Sequence, residues 1–438
     1  MSSQFTLLRR RRFLPFFLTQ FFGAFNDNVF KNALVVLITF QAAHWTSMRP
    51  EILANLAAGI FILPFFLFSA TAGQLADKYD KARISRFVKA FEIIIILIAC
   101  AGFALESLNL LLFTLFLLGF QSTLFGPVKY AILPQHLAEN ELIGGNALVE
   151  AGTFIAILIG TLVGGLLAGS GGAATWISLF SLCIAVIGYV ASRSIPAAPA
   201  PAPDLRVNPN PITETWRNIG FAREKRVVFM SIVAISWFWL YGALFLTQFP
   251  SYAKNVLGGN EDMVVVLLAT FTFGIGIGSL LCERISGHRV EVGLIPLGAI
   301  GLTVFGLDFF WASPSAPVFG QAQGVAALFS HLNTWRLIAD LVLIGIFGGF
   351  FCVPLYAVMQ TRSDVSHRAR IIAANNILNA LFIVAGTGAA AGLLGAGGSI
   401  AGLFGIAAVV NAAVAAYVFI RVPEFPLRFL QWINWRRR

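Results

Sequence analysis

The chain is divided into apolar runs that are long enough to cross a lipid bilayer. A membrane helix needs about 20 mostly apolar residues, and twelve such runs follow one another here. With 58% hydrophobic and only 11% charged residues, the chain lies outside the range of soluble globular proteins. The sequence therefore predicts an all-α polytopic membrane protein with twelve transmembrane helices, over residues 13–40, 52–76, 86–106, 109–127, 142–169, 174–193, 227–250, 263–283, 290–311, 336–360, 370–396 and 398–421.

The basic residues indicate on which side of the membrane each connection lies. With the N-terminus in the cytoplasm, all of the 30 Lys and Arg fall on inside segments except Lys31, Arg49, Lys254 and Arg336. Cytoplasmic connections carry such an excess of positive charge in membrane proteins. Both termini are therefore predicted to be cytoplasmic. The first apolar run is too long for a cleavable signal peptide, and we expect it to be retained.

A Pro- and Ala-rich segment separates the runs into two sets of six. It begins IPAAPAPAP, and its prolines favour an extended, semi-rigid connector. Its later part, residues 213–226, has the composition of an amphipathic helix at the cytoplasmic interface, although a plain linker is the simpler interpretation. The predicted organisation is a six-helix bundle over 1–194, a cytoplasmic linker over 195–226, and a second six-helix bundle with a short basic tail over 227–438.

The two sets of six repeat part of their sequence. Tyr130-Ala131, just after the fourth run, matches Tyr356-Ala357 near the end of the tenth, and Asn146 and Glu150 in the fifth run match Asn375 and Asn379 in the eleventh. Internal duplication is typical of transporters that bind their substrate near the bilayer midplane, where the repeats meet. The repeat predicts a two-bundle transporter.

The first apolar run carries a polar turn near its middle, with the sequence NDNVFK. Each charged side chain there costs about 2.5–3.5 kcal/mol on insertion scales. Asp27 and Lys31 are four residues apart and share a helix face, with Asn28 between them. One interpretation is an internal ion pair that locks this helix to its neighbours. The other, which we favour, is the polar wall of a substrate cavity.

Other polar residues inside apolar runs are candidates for the same cavity. Glu150 lies on a polar stripe of the fifth run with Asn146 and Thr153, and Asn375 and Asn379 form the matching stripe of the eleventh. Each stripe is open to two interpretations, a substrate site or hydrogen-bonded helix packing. Lys129, at the predicted cytoplasmic end of the fourth run, is either a substrate contact or a helix-end charge.

The seventh run places aromatic residues near its middle, whereas interfacial aromatics lie at the ends of spans. Trp237, Trp239 and Tyr241 either line a path for an apolar ligand or fill the bundle core. Near the outer end of the tenth run, Asp340 follows Arg336 by four residues, which predicts an ion pair.

The loop after the second run, GQLADKYDKAR, resembles the loop signature of the major facilitator superfamily. Gly73, Asp77 and Arg83 stand at the positions of its glycine, aspartate and distal basic residue, while Asp80 replaces its second glycine. The resemblance implies the major facilitator fold of two six-helix bundles, and it implies that these three residues form a conformational latch. Charges that only set membrane topology are the alternative for the basic residues of this loop.

Longer strings resemble the bacterial lysophospholipid transporter branch of that superfamily, among them GAFNDNVFKNA, GPVKYAILPQHL, NALVEAGTFIAILIGTLVGG and SWFWLYGALFLTQFPSYA. The resemblance implies a flippase that moves lysophospholipids from the outer to the inner leaflet of the bacterial inner membrane by alternating access. In that case Lys31 and Lys129 are suited to the phosphate, and Asp27 and Glu150 to an ammonium group or to balancing the lysines.

The same strings resemble the transporter portion of proteins fused to acyltransferase and acyl-carrier-protein synthetase domains. This chain ends at Arg438 without such domains. The resemblance therefore implies membrane lipids as surroundings and a separate acyltransferase or acyl-carrier-protein synthetase as a partner.

Enzyme motifs are not found in the sequence. No histidine is followed by aspartate at the fifth position, as acyltransferases of such lipids require, and there is no Gly-Lys-Ser/Thr phosphate loop. The four cysteines lack metal-ligand spacing, and the basic residues form no nucleic-acid-binding stripe. We predict no enzyme activity, cofactor, metal or nucleic-acid partner.

Two alternatives to the lipid transporter stay open. A proton-coupled exporter of drugs or small metabolites would use Asp27 or Glu150 as a proton carrier. A non-transporting membrane anchor would instead hold a separate acyltransferase at the membrane.

Overall fold

The computed structural model describes residues 4–41, 50–314, 324 and 332–436. Within these ranges, twelve long helices coincide with the twelve predicted runs to within a few residues. They are α1 Leu14–Gln41, α2 Pro50–Lys78, α3 Lys81–Ala104, α4 Leu108–Ala131, α5 Leu142–Ala168, α6 Ala173–Arg193, α7 Arg226–Tyr252, α8 Glu261–Ser286, α9 Leu294–Ala312, α10 Leu332–Arg362, α11 Arg368–Gly395 and α12 Ile400–Arg421. Arg49 and the tail residues Arg437 and Arg438, used in the sequence predictions, lie outside the described residues.

Eleven of these helices, α2 to α12, are both long and apolar enough to cross a membrane. α1 is 28 residues long, but Asn26, Asp27, Asn28 and Lys31 at its centre lower its mean hydropathy. The chain is therefore an all-α multi-pass membrane protein, and its first span carries a polar turn near its middle.

Helix packing repeats between the two halves of the chain. In the first half α1 packs against α6, α2 against α4, and α3 against both α4 and α6. In the second half α7 packs against α12, α8 against α10, and α9 against both α10 and α12. Each pairing recurs six helices later, in agreement with the predicted internal duplication.

Close helix packing in the second half depends on glycines. A Cβ atom on Gly274 or Gly278 of α8 would collide with the backbone of α10 at Val342 or Ile346, and one on Gly345 of α10 would collide with α8. The GIGIG sequence of α8 is thus a packing surface, because small residues let membrane helices approach closely.

Backbone contacts group the chain into two compact units. Unit 1 contains Met1–Ala138, Ile155–Glu224 and Ser363–Ile377, and unit 2 contains Glu139–Phe154, Lys225–Arg362 and Leu378–Arg438. These units differ from the predicted sequence halves because the first part of α5 belongs to unit 2 and the first part of α11 belongs to unit 1. The division into two six-helix bundles at the linker stays a prediction.

The linker is hydrogen-bonded to the turn between α2 and α3. The backbone N–H of Lys81 donates to the carbonyl of Ala198 at 3.0 Å, and that of Ala202 donates to the carbonyl of Asp77 at 3.0 Å. Asp80 accepts from the N–H of Arg83 at 3.0 Å and from that of Ala198 at 2.9 Å. Because Asp80 caps it, α3 begins at Lys81, several residues before the predicted start.

Two helices of 13–14 residues pack beside the long ones. The linker helix, Pro211–Glu224, packs beside α2, and the C-terminal helix, Glu424–Arg436, packs against α9 and α12. In unit 2, Arg362 donates to Glu424 at 2.6 Å, and this hydrogen bond holds the pKa of the Glu424 carboxyl below its ordinary value. The amphipathic character predicted for 213–226 is realised as a helix with Trp216 exposed on one side and Asn218 buried on the other.

Candidate functional site

In unit 1, the carboxylate of Asp27 on α1 is held by α4. Gln121 Nε2 donates to Asp27 Oδ1 at 3.3 Å, and the Ser122 hydroxyl donates to Asp27 Oδ2. Asp27 is only 7% exposed. Both donors are neutral, so they satisfy the carboxylate oxygens without cancelling their negative charge.

Lys31 lies one helical turn further along α1 and also bonds to a neutral group. Its Nζ donates to Asn28 Oδ1 at 2.9 Å and lies 5.4 Å from the centre of the Phe61 ring on α2. Asn28 in turn donates to the carbonyl of Ala24 at 2.7 Å. Asp27 and Lys31, predicted to share a face, therefore each take a neutral hydrogen-bond partner.

A buried ion pair lies beside this site and was missed by the sequence analysis. Lys89 Nζ on α3 donates to Glu92 Oε2 at 2.5 Å, and Asn26 Nδ2 on α1 donates to Glu92 Oε1 at 2.8 Å. The Lys89 and Glu92 side chains are 1% and 0% exposed. A Cβ atom on Gly23 would lie 2.6 Å from Lys89 Nζ, so the glycine makes room for the ammonium.

The assignment of Lys89 to a cytoplasmic connection, used in counting basic residues, is therefore wrong. The sequence feature that identifies Lys89 is the one used for Asp27, namely a charged residue inside an apolar run. In FVKAFEIIII the lysine and glutamate are three residues apart, which places them on one helix face.

The arrangement on α1 suits a ligand that carries both signs of charge. Asn26, Lys89 and Glu92 hydrogen-bond to one another, whereas Asp27 and Lys31, two ionisable groups of opposite sign, have neutral hydrogen-bond partners. Inside a membrane such charges attract counter-charges strongly because water does not screen them. An ammonium at Asp27 and a phosphate at Lys31 match the two ends of this site.

In unit 2, the polar stripe of α5 is largely used in helix packing. Asn146 Nδ2 donates to Gln360 Oε1 at 2.7 Å, and Gln360 Nε2 donates back to Asn146 Oδ1 at 2.9 Å. Both side chains are fully buried. Thr153 donates to the carbonyl of Val149, and Glu150 is buried between these positions with 1% exposure. Asn146 thus joins α5 to α10.

The aromatic residues of α7 divide between core and half-buried positions. Trp237 Nε1 donates to Asn411 Oδ1 on α12 at 2.8 Å, and Asn411 donates to the carbonyl of Ala299 on α9. Trp237 therefore joins three helices and fills the core. Trp239 is half-buried, donates to the Tyr356 hydroxyl at 2.9 Å, and stacks on Phe154.

The two asparagines of α11 differ from each other. In unit 2, Asn379 Oδ1 accepts from the Ser236 hydroxyl at 2.8 Å and remains half-buried. In unit 1, Asn375 is fully buried, and neither its Oδ1 nor its Nδ2 has a hydrogen-bond partner among the described residues. Lys129 lies in the last turn of α4 with its Nζ 5.1 Å from the Tyr130 ring, the position expected of a helix-end charge.

Two of the three predicted latch residues meet the start of α11 within unit 1. Asp77 accepts from the backbone N–H groups of Ala369 and Arg370 at 3.1 and 3.3 Å, and from Arg370 Nε at 3.1 Å. A carboxylate is favourable at a helix N-terminus because the helix dipole is positive there. A Cβ atom on Gly73 would lie 2.7 Å from the Cβ of Ala373, so the glycine is required for this approach.

The third predicted latch residue is elsewhere. Arg83 is exposed, and its backbone N–H bonds to Asp80. Arg370, from a distant part of the sequence, is the basic partner of Asp77. In unit 2, Arg336 Nε donates to Asp308 Oδ2 at 3.0 Å and so links α10 to α9, while Asp340, its partner predicted from spacing, interacts with it electrostatically.

Several proteins resemble this chain over most of its length. The chain is 27% identical over 367 residues to the lysophospholipid transporter LplT of Serratia proteamaculans, with 82% of each chain covered. It is 28% identical over 362 residues to the LplT of Escherichia coli O157:H7, with 79% of each covered.

Solved structures of transporters share the fold. The E. coli fucose:proton symporter FucP superposes with a TM-score of 0.68 at 12% identity, covering 94% of this chain and 99% of FucP. The human organic anion transporter MFSD10 superposes with a TM-score of 0.67 at 12% identity, covering 93% and 99%. The family model described as Major Facilitator Superfamily matches residues 16–335. The chain has the major facilitator fold and belongs to the Major Facilitator Superfamily.

Proposed function

We propose that this protein is a lysophospholipid transporter of the bacterial inner membrane. The observation that carries the proposal is the pair Asp27 and Lys31, two ionisable groups of opposite sign in the middle of a membrane helix, whose hydrogen bonds within the described part of the chain go to neutral groups. The LplT relatives supply the substrate class. A lysophospholipid with a zwitterionic headgroup brings a phosphate and an ammonium, which are complementary to the two charges.

The transport mechanism that we propose is alternating access, in which the headgroup site is reached from each side of the membrane in turn. The headgroup binds at Asp27 and Lys31, the acyl chain follows apolar walls, and the lipid moves from the outer to the inner leaflet. The N- and C-termini lie in the cytoplasm, where a separate acyltransferase reacylates the delivered lipid. The protein itself carries out no chemical reaction.

Further contacts to the substrate are proposed from the remaining candidates. Glu150 is the second buried carboxylate of the predicted site, and Lys129 is a second cation suited to a phosphate as it reaches the inner leaflet. Asn379 and Trp239, both half-buried, are better placed for ligand contact than the fully engaged Asn146 and Trp237.

Uptake of labelled lysophosphatidylethanolamine by spheroplasts that lack their own transporter tests the proposal. We expect uptake with the parent protein and a loss of at least about tenfold with Asp27→Asn, since a hydrogen bond to a charged group contributes about 1.5–3 kcal/mol. Glu139→Gln removes an exposed carboxylate and serves as the matched control at equal expression.

The other outcomes separate the alternatives. Uptake by Asp27→Asn equal to that of the parent contradicts the role of the α1 site. If the folded parent transports no lysophospholipid, export of drugs under an imposed proton gradient tests the proton-coupled exporter. Copurification with an acyltransferase in the absence of lipid movement favours the membrane anchor.

A further inference from the structure

Two cationic side chains at the predicted cytoplasmic end of unit 1 have unsatisfied buried nitrogens. Lys81, the first residue of α3, is 2% exposed, and its Nζ has no hydrogen-bond partner among the described residues. Arg368, the first residue of α11, has a buried Nε that likewise lacks an acceptor in the described part of the chain. A buried charge without a partner is costly, so this arrangement indicates an anion that binds here.

The carboxylates nearby are already engaged. Lys81 and Arg368 interact electrostatically with each other and with Asp77. Asp77, however, accepts from the start of α11 and from Arg370. Asp80, which also acts on Lys81, accepts from two backbone N–H groups.

Asp364, the remaining acidic neighbour of Arg368, is exposed and accepts from the N–H and hydroxyl of Ser366. Among the described residues, none of these carboxylates accepts a hydrogen bond from Lys81 Nζ or Arg368 Nε. Lys81 Nζ and Arg368 Nε are therefore left without an acceptor among the described residues.

The linker shields Lys81 from water. Its backbone bonds to the α2–α3 turn at two points, where Ala198 accepts from the N–H of Lys81 and Ala202 donates to the carbonyl of Asp77. Ala198 is itself fully buried. With water excluded, an anion between the two cations would be attracted far more strongly than at an exposed surface.

We propose that Lys81 and Arg368 form a binding site for a phosphate-type oxyanion, carried either by the headgroup of an anionic phospholipid or by free inorganic phosphate. A phosphate group has enough acceptor oxygens to bond an ammonium and a guanidinium together. Since Lys81 begins α3 and Arg368 begins α11, the bound anion stabilises the packing of α11 beside Asp77. This site is distinct from the transport site on α1 and does not depend on the identity of the transported substrate.

The test is the melting temperature of the purified full-length protein in a neutral detergent, titrated with inorganic phosphate against sodium chloride of equal ionic strength. A second arm replaces phosphate by phosphatidylglycerol, with phosphatidylcholine as the neutral lipid. We expect a saturable rise in melting temperature in at least one arm. Lys81→Gln and Arg368→Gln should each weaken the apparent affinity about tenfold or more, because each removes a charged hydrogen-bond donor.

Arg206→Gln is the matched control, because Arg206 is an exposed cation of the same linker, and it should respond like the parent. A response to free phosphate assigns the site to the ion, and a response to phosphatidylglycerol alone assigns it to the lipid. The absence of a saturable response in both arms overturns the proposal, as does a response that Lys81→Gln and Arg368→Gln leave unchanged.

Lys81→Met is a control that distinguishes loss of anion binding from a folding defect. It replaces the buried ammonium by an apolar group of similar length, so without anion it should melt above the parent and should no longer respond to phosphate or phosphatidylglycerol. If Lys81→Met melts below the parent in the absence of anion, the lysine charge is already satisfied by the protein and no anion site exists.

Discussion

The polar groups of α1 and α5 are satisfied in opposite ways. On α1, Asp27 accepts from Gln121 and Ser122, and Lys31 donates to Asn28, so two ionisable groups of opposite sign have neutral hydrogen-bond partners. On α5, the Asn146 amide forms two reciprocal hydrogen bonds with a second neutral amide, that of Gln360. A closed neutral pair offers a ligand little, whereas a charge on neutral partners still attracts a counter-charge. A candidate site therefore differs from helix packing in the polar or charged groups that can still bind a ligand after bonding within the protein.

The largest effect is expected beside α1, where the buried pair should act on stability. Lys89→Met leaves Glu92 buried without its cation, so we expect a loss of about 3–5 kcal/mol in the free energy of unfolding. Unfolding in mixed detergent–SDS micelles measures it. The double variant Lys89→Met/Glu92→Leu should recover most of the loss. A single variant as stable as the parent would show that the pair is not buried as described.

Lys31 provides the direct test of the charged part of the comparison. Lys31→Gln should lower lysophospholipid uptake at limiting substrate by about tenfold or more, because a charged donor to the phosphate is lost. Uptake by spheroplasts measures it, and Lys254→Gln, which removes an exposed lysine, is the control. Unchanged uptake would make Lys31 a structural residue and remove the distinction between α1 and α5.

Substitution of Asn146 tests the neutral amide pair of α5. Asn146→Leu leaves the Gln360 amide buried without its partner, so we expect a loss of about 1 kcal/mol in stability and unchanged uptake per folded molecule. Adding Gln360→Leu should restore stability, since both polar groups are then absent. If uptake falls while stability stays equal to that of the parent, Asn146 contributes to the substrate site, as the sequence analysis predicts.

The smallest effect is expected at Arg83. Because the side chain is exposed, Arg83→Gln should change the free energy of unfolding by less than about 0.5 kcal/mol. Arg370→Gln should cost clearly more, since Asp77 then loses its guanidinium partner. Thermal unfolding of the two variants side by side measures the difference. Equal effects would contradict the assignment of Arg370 as the basic partner of Asp77.

The spans could be predicted because insertion depends on the summed hydropathy of about 20 consecutive residues, which is a property of local sequence. The polar turn of α1 was found for the same reason. Lys89 was misplaced because it lies close to a basic connection, where one more lysine resembles a topology charge. The start of α3, which depends on the cap Asp80, was also predicted too late.

The twelve spans, the internal duplication and the polar turn of α1 follow from the local sequence. Which polar groups satisfy one another depends instead on how the helices pack, as Asp77 with Arg370, Asn146 with Gln360 and Arg336 with Asp308 illustrate. Burial in the membrane is a sum over many neighbouring residues. A hydrogen bond instead requires two atoms within about 3 Å in a suitable direction, and helix packing brings such atoms together from distant parts of the chain.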